Sequence, residues 1–106
     1  MADKIDYIVI SVPEMNDSIS RMTFDNIVYN LRLTYNDTGD FWTLGFYNSN
    51  VEPIIQGIKI VPNTSLTLPY LTYDIPLGAF MAYSKKSHIG RYDFKNGEAQ
   101  LIFIPL

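Results

Sequence analysis

The chain has 106 residues, a formal net charge of -3, and 47% hydrophobic, 18% charged and 14% aromatic residues, so it has room for one folded domain and lacks the overall basic footprint that nucleic acid or an anionic membrane attracts. With no cysteine and a single histidine, His88, it excludes disulfides, thiol nucleophiles, Cys-ligated zinc and a His-rich metal site. No run approaches the roughly 18 apolar residues of a membrane-spanning helix, so membrane insertion is not expected.

In chain order, Met1 to Lys4 reads as a disordered tail, and the first residues lack the basic and apolar regions of a signal peptide. Ile5 to Val12 is β-branched and apolar enough for a strand, which Pro13 ends. Ser18 to Phe24 alternates weakly and Ile27 to Tyr35 strongly, and Asp25-Asn26 between them tolerates positive φ, so a tight hairpin is expected. The cluster Asn36-Asp37-Thr38-Gly39-Asp40 makes the next turn.

Phe41 to Tyr47 then carries Trp42, Leu44 and Phe46 on one face and Phe41 and Tyr47 on the other. A strand with bulky residues on both faces is central, or has its outer face covered. Asn48-Ser49-Asn50 turns the chain into a strand from Ile54 to Val61, begun after Pro53 because proline donates nothing to a ladder, and Gly57 marks a bulge or a close backbone approach. Thr64 to Tyr73 contains Pro69 and is read as a single turn or a covering loop. Ala79 to Tyr83 and Ala99 to Ile104 are strands, the polar and basic Lys85 to Lys95 between them is a loop, and Asn96-Gly97 is a tight turn.

Short strands punctuated by turns predict an all-β domain, one small barrel of about five to seven strands. Its expected core is Leu31, Leu33, Trp42, Leu44, Phe46, Ile58, Ile60, Leu101 and Phe103.

Little of the chain suggests chemistry. Asp37 and Asp40 share a turn and supply too few ligands for a calcium loop, so no metal is expected. His88 lies beside Ser87 and five residues before Asp93, but residues of one loop seldom reach triad geometry. No glycine-rich phosphate loop is present, and neither an enzyme nor a cofactor is expected. The surplus of tyrosines and the low charge favour protein interfaces, with Lys85, Lys86, His88 and Arg91 of the basic loop and Tyr35, Tyr47 and Tyr83 as candidates. Joint replacement of Lys85, Lys86 and Arg91 is expected to weaken partner binding and leave the fold intact. A stacking platform for single-stranded nucleic acid, built from Tyr and Phe around Arg32, is the alternative, and the negative charge works against it.

Three blocks also have a familiar order and spacing: Tyr29-Asn30-Leu31-Arg32-Leu33-Thr34-Tyr35-Asn36, Asp40-Phe41-Trp42-Thr43-Leu44-Gly45-Phe46-Tyr47 and Pro53-Ile54-Ile55-Gln56-Gly57-Ile58-Lys59-Ile60-Val61-Pro62. Together they resemble the small baseplate plug proteins of contractile-tailed phages and prophages. Gly78 to Tyr83 and Leu101-Ile102-Phe103-Ile104-Pro105 extend the resemblance, which covers about Phe24 to the end and leaves Ile5 to Pro13 outside it. The resemblance implies a virion structural protein with an oligonucleotide-binding-like β-barrel, made in the host cytoplasm and seated on the baseplate axis with hub, spike and tail-tube proteins, where it helps close the tube. A place on a threefold axis is compatible with a homotrimer in the virion.

Overall fold

The structure is a computed structural model and describes residues 6–105. Seven strands and one 3-10 turn follow in order: β1 Ile8–Ile10, β2 Asp17–Phe24, β3 Ile27–Asn36, β4 Phe41–Tyr47, β5 Pro53–Lys59, the turn Leu68–Tyr70, β6 Gly78–Ser84 and β7 Ala99–Pro105. They form two antiparallel sheets, one of four strands in the order β2-β3-β4-β5 and one of three in the order β1-β7-β6. The tail expected at Met1 to Lys4, and Ile5 at the start of the first expected strand, lie outside the described residues.

The hairpin forms where Asp25 and Asn26 take φ of 51° and 64°. Positive φ at both central residues matches the turn's twist to the strands and sets the register at Phe24 opposite Ile27. The next turn is held by the Asn36 side chain, whose Oδ1 accepts from the Gly39 N–H at 2.8 Å, and Asp40 leaves it with φ of 56°.

Of the two arrangements that aromatics on both its faces suggested, β4 takes the central one, between β3 and β5. Trp42, Leu44 and Phe46 are buried on its inner side. On its outer side Lys59 Nζ covers the Phe41 ring at 4.8 Å. Ladder partners run from Leu44–Ile58 to Phe46–Ile55, so β5 holds one residue more than β4 there, a bulge in which Gly57 has φ of 74°. Among the described residues nothing beyond its chain neighbours lies within 4 Å of where a Gly57 Cβ would be, so the glycine serves the bulge and not a close approach. Pro53, expected to stand outside, is the first residue of β5, an edge strand on which a missing donor is tolerated.

The barrel expected from the strand pattern is not closed. Beyond β5 the chain crosses to the other sheet: the Ile60 N–H donates to Trp42 O at 2.9 Å, the Asn63 N–H to Ala82 O at 2.8 Å and the Leu66 N–H to Phe80 O at 2.8 Å. Pro62 has no N–H, and the crossing makes one isolated parallel bridge, Pro62 to Ala82, instead of a ladder. On the opposite side no ladder joins β1 to β2 among the described residues. Among the described residues the first strand, expected over Ile5 to Val12, pairs only through Ile8–Ile10, and the chain leaves β7 ahead of Pro13.

All nine expected core residues are buried. Between the sheets lies an aromatic knot: the Phe80 centroid is 4.5 Å from Phe103, 4.9 Å from Phe46 and 5.6 Å from Phe24. Leu66 and Ile75, on either side of the 3-10 turn, close one end of this core.

Candidate functional site

The loop between β6 and β7 begins as the basic stretch of the sequence and is tied down from within. Asp93 is buried at 6% exposure and organises it. Its Oδ2 accepts from the Gly90 N–H at 2.6 Å, its Oδ1 from Lys86 Nζ at 3.0 Å, and its backbone carbonyl from the Glu98 and Ala99 N–H groups. Ser84 Oγ donates to Glu98 O at 2.7 Å and accepts from the Lys86 N–H. Ile89 is buried, and Trp42 Nε1 donates to Gly90 O at 3.1 Å. The loop is therefore pinned to the core through Ile89 and Asp93, while most of its other side chains stay in water.

Burial is the largest influence on the Asp93 carboxyl and pushes its pKa up, but the Gly90 N–H and Lys86 outweigh it and leave the group below the usual aspartate range. The hydrogen bond to Asp93 raises Lys86. A lowered carboxylate stabilises the fold at pH above its unfolded value and loses that contribution as pH falls through the folded one, here below about 4. The raised Lys86 contributes below its unfolded value and loses its share only in strong alkali. Asp93→Asn is expected to cost about 1–3 kcal/mol at pH 7, with a gap to wild type that narrows from pH 4 towards pH 2 in thermal melts. A gap independent of pH would show that the carboxylate's charge contributes nothing.

The seven interface candidates fall in three places. Tyr83, Lys85 and Lys86 rim a groove of about 750 Å³ that opens where Ser11 and Val12 leave β7, with Ile10, Phe94 and Leu101 among its apolar lining. Tyr83 is 54% exposed. Lys86 pairs with Asp93 and, at 3.4 Å, with Glu98, and Lys95 on the same rim pairs with Glu14 at 2.7 Å. Lys86 is the counter-ion of a buried carboxylate, so joint replacement of Lys85, Lys86 and Arg91 is expected to lower stability as well as partner binding.

Tyr35, His88 and Arg91 gather at the β3–β4 turn. The Tyr35 hydroxyl donates to Asp40 Oδ1, and His88 Nε2 lies 3.0 Å from Asp40 Oδ2. The bond to Asp40 pushes the Tyr35 phenol up to about 12, and the same bond, with that of His88, lowers Asp40. Arg91 donates to Asn16 Oδ1, and its guanidinium lies 5.6 Å from the Trp42 ring centroid and 5.0 Å from that of Tyr92. His88 thus meets Asp40 of a distant turn, while the Asp93 of its own loop holds Lys86. Asp37 and Asp40 face different partners, Asn16 and the Tyr35–His88 pair. Among the described residues no cluster of three or more His or acidic side chains could hold a metal.

Tyr47 is 7% exposed on the outer side of the four-stranded sheet. Its hydroxyl donates to Gln56 Oε1 at 2.7 Å and accepts from Arg32 at 3.4 Å. Arg32 itself forks onto Asp17, Nε to Oδ1 at 2.8 Å and NH2 to Oδ2 at 2.6 Å.

A surface that the sequence reading missed is the outer face of the three-stranded sheet. The register places Val9 beside Ile102 and Ile102 beside Met81, with Ile104 and Ala79 next along and Tyr83 opposite Gln100. Val9 is 49% exposed, and Met81, Ile102 and Ile104 are partly exposed. None of the residues of β1, β6 or β7 is charged. A solvated outer face normally alternates with polar residues. The signal was present as charge-free strands, but only the pairing shows that these residues share one face.

Two antiparallel sheets around one aromatic core, with an uncharged face and an adjoining groove uncovered among the described residues, define an all-β domain. Residues 5–105 match the family described as cyanophage baseplate Pam3 plug gp18, a span that includes the N-terminal strand. The chain belongs to that family and is a phage protein of the virion's tail baseplate. Comparison with curated proteins finds no match to the chain.

Proposed function

We propose that the chain is a non-enzymatic plug subunit on the axis of the tail baseplate, where it helps close the tail tube and contacts hub and spike proteins, with copies related by the threefold axis. The observation that carries this is the family match along nearly the whole chain. The uncharged outer face of β1, β7 and β6 supports it, since a face of this kind is stable when a neighbour covers it. Tyr83 and Lys85 border that face, and Tyr35, His88 and Arg91 form a second contact region at the β3–β4 turn. A stacking platform for single-stranded nucleic acid gains no support from the geometry, because Tyr29, Trp42 and Phe46 are buried and Arg32 is held by Asp17.

The test is peptide mass spectrometry on gradient-purified tails from the phage or induced lysogen that encodes the chain, with copy number measured against the tube protein. A few copies per tail are expected, and Ile102→Lys, which puts a charge on the open face, is expected to reduce incorporation by about tenfold or more. Absence from tails that hold the other baseplate proteins would overturn the proposal.

A further inference from the structure

Strand edges in this fold differ in how they are protected against pairing with another chain. β5 starts with a proline and is bulged, β1 pairs over three residues, and the β6 edge receives the crossing segment at Asn63 and Leu66. By contrast β2 is a regular eight-residue strand that, among the described residues, pairs on one side only. A long unbulged edge is a template for strand addition.

Which groups it offers follows from the hairpin. The two-residue turn closes on Phe24–Ile27, and the Tyr35 N–H donates to Asn16 O at 2.7 Å. The even-numbered residues of β2 therefore direct their peptide groups at β3, and Asp17, Ile19, Arg21 and Thr23 direct theirs outward. The side chains of Asp17, Ile19 and Arg21 are exposed on one face of the sheet, Ile19 by 50%. Arg21 makes no ion pair among the described residues.

We propose that β2 pairs edge to edge with β2 of a second copy of this chain, antiparallel and centred on Ile19. The segment Asp17-Ser18-Ile19-Ser20-Arg21 is self-complementary in that register. Asp17 faces Arg21 of the second copy at both ends, Ser18 faces Ser20, and the exposed Ile19 side chains meet at the two-fold axis. Because odd-numbered residues carry the outward peptide groups, the pairs 17–21, 19–19 and 21–17 are the hydrogen-bonded ones, about six backbone bonds in all. A register centred on Arg21 would instead oppose two arginines, and like charges directly opposite destabilise a pair. Although Asp17 already accepts from Arg32, each carboxylate oxygen retains a lone pair for the second guanidinium. The pairing is isologous and joins the two four-stranded sheets into one of eight strands. It is a state of the free protein and does not depend on the baseplate reading; on a threefold axis this edge would meet a different neighbour.

Sedimentation of the full chain from about 1 µM to about 1 mM tests it. The mass is expected to rise from 12.2 kDa towards about twice that value. Arg21→Glu, which sets Glu against Asp17, and Ile19→Lys, which sets lysine against itself, should each weaken association by about tenfold or more, whereas Arg21→Lys should retain it. These are exposed positions, and a circular dichroism melt checks each variant's fold. Amide exchange supplies a second readout, with the Ile19 and Arg21 amides gaining protection as concentration rises while those of Ser18 and Ser20 are protected throughout. A monomer at every concentration, a trimer, or a dimer indifferent to both Arg21→Glu and Ile19→Lys would overturn the proposal.

Discussion

Phe80→Ala is expected to lower the free energy of unfolding by about 3–5 kcal/mol, a large part of what a domain of this size possesses. Phe80 is fully buried at 0% exposure. It stands on β6 of one sheet, yet its ring meets Phe46 and Phe24 of the other, with interplanar angles of 72° and 76°. Truncation removes the transfer energy of the ring and two edge-on aromatic contacts between the sheets. It also leaves a cavity that ladders on both sides keep from collapsing, so little of the loss is recovered by relaxation. Urea titration is the measurement, with the midpoint moving and the slope unchanged. Phe80→Leu should lose much less, because it keeps most of the volume. A loss below about 1 kcal/mol for the alanine variant would mean that the sheets are held together elsewhere.

Gly78→Ala is expected to cost about 2–4 kcal/mol despite adding only a methyl group. Gly78 opens β6 with φ of 149°, and a Cβ there would stand 2.3 Å from Ile104 O and 2.8 Å from a Phe103 ring carbon. The first of these atoms is backbone in the neighbouring ladder, so β7 must move or the pairing of Gly78 with Pro105 must open. Gly57→Ala separates clash from backbone conformation, since Gly57 also has positive φ but meets nothing within 4 Å. That variant should lose only about 1 kcal/mol. Equal losses at the two positions would remove the steric argument. Faster amide exchange along β6 and β7 in Gly78→Ala would place the damage in the three-stranded sheet.

Much of the fold was legible because strand periodicity is a local property. Ile27 to Tyr35 alternates clearly, Asp25-Asn26 suits the turn before it, and β4 runs over Phe41–Tyr47 as expected. Boundaries moved where pairing, and not composition, ends a strand. Pro53 joins β5 because the edge on which it lies needs no donor from it, and among the described residues the N-terminal strand has β7 beside it for only three residues. Barrel closure was inferred from the spacing of short strands and turns and from the family resemblance, neither of which records whether the first and last edges meet.

The candidate interfaces were less legible. Lys86 and Asp93 are separated by a stretch of loop, and nothing in that stretch announces that one is buried and the other neutralises it. Tyr47 looks like any surface tyrosine until Gln56 and Arg32 close on its hydroxyl. His88 finds its partner in Asp40, on a turn far back in the chain.

The sequence by itself determined the β class, the hairpin, the inner faces of β3 and β4 and the resemblance to baseplate plugs. Each depends on residues near one another along the chain, where alternation and turn chemistry act. Only the tertiary structure decided that no ladder joins the two sheets on either side among the described residues, that Asp93 organises the basic loop, and that Val9, Met81 and Ile102 join into an uncharged face. Those features depend on which strands pair and in what register, and register is set by packing across the core, which local residue order does not encode.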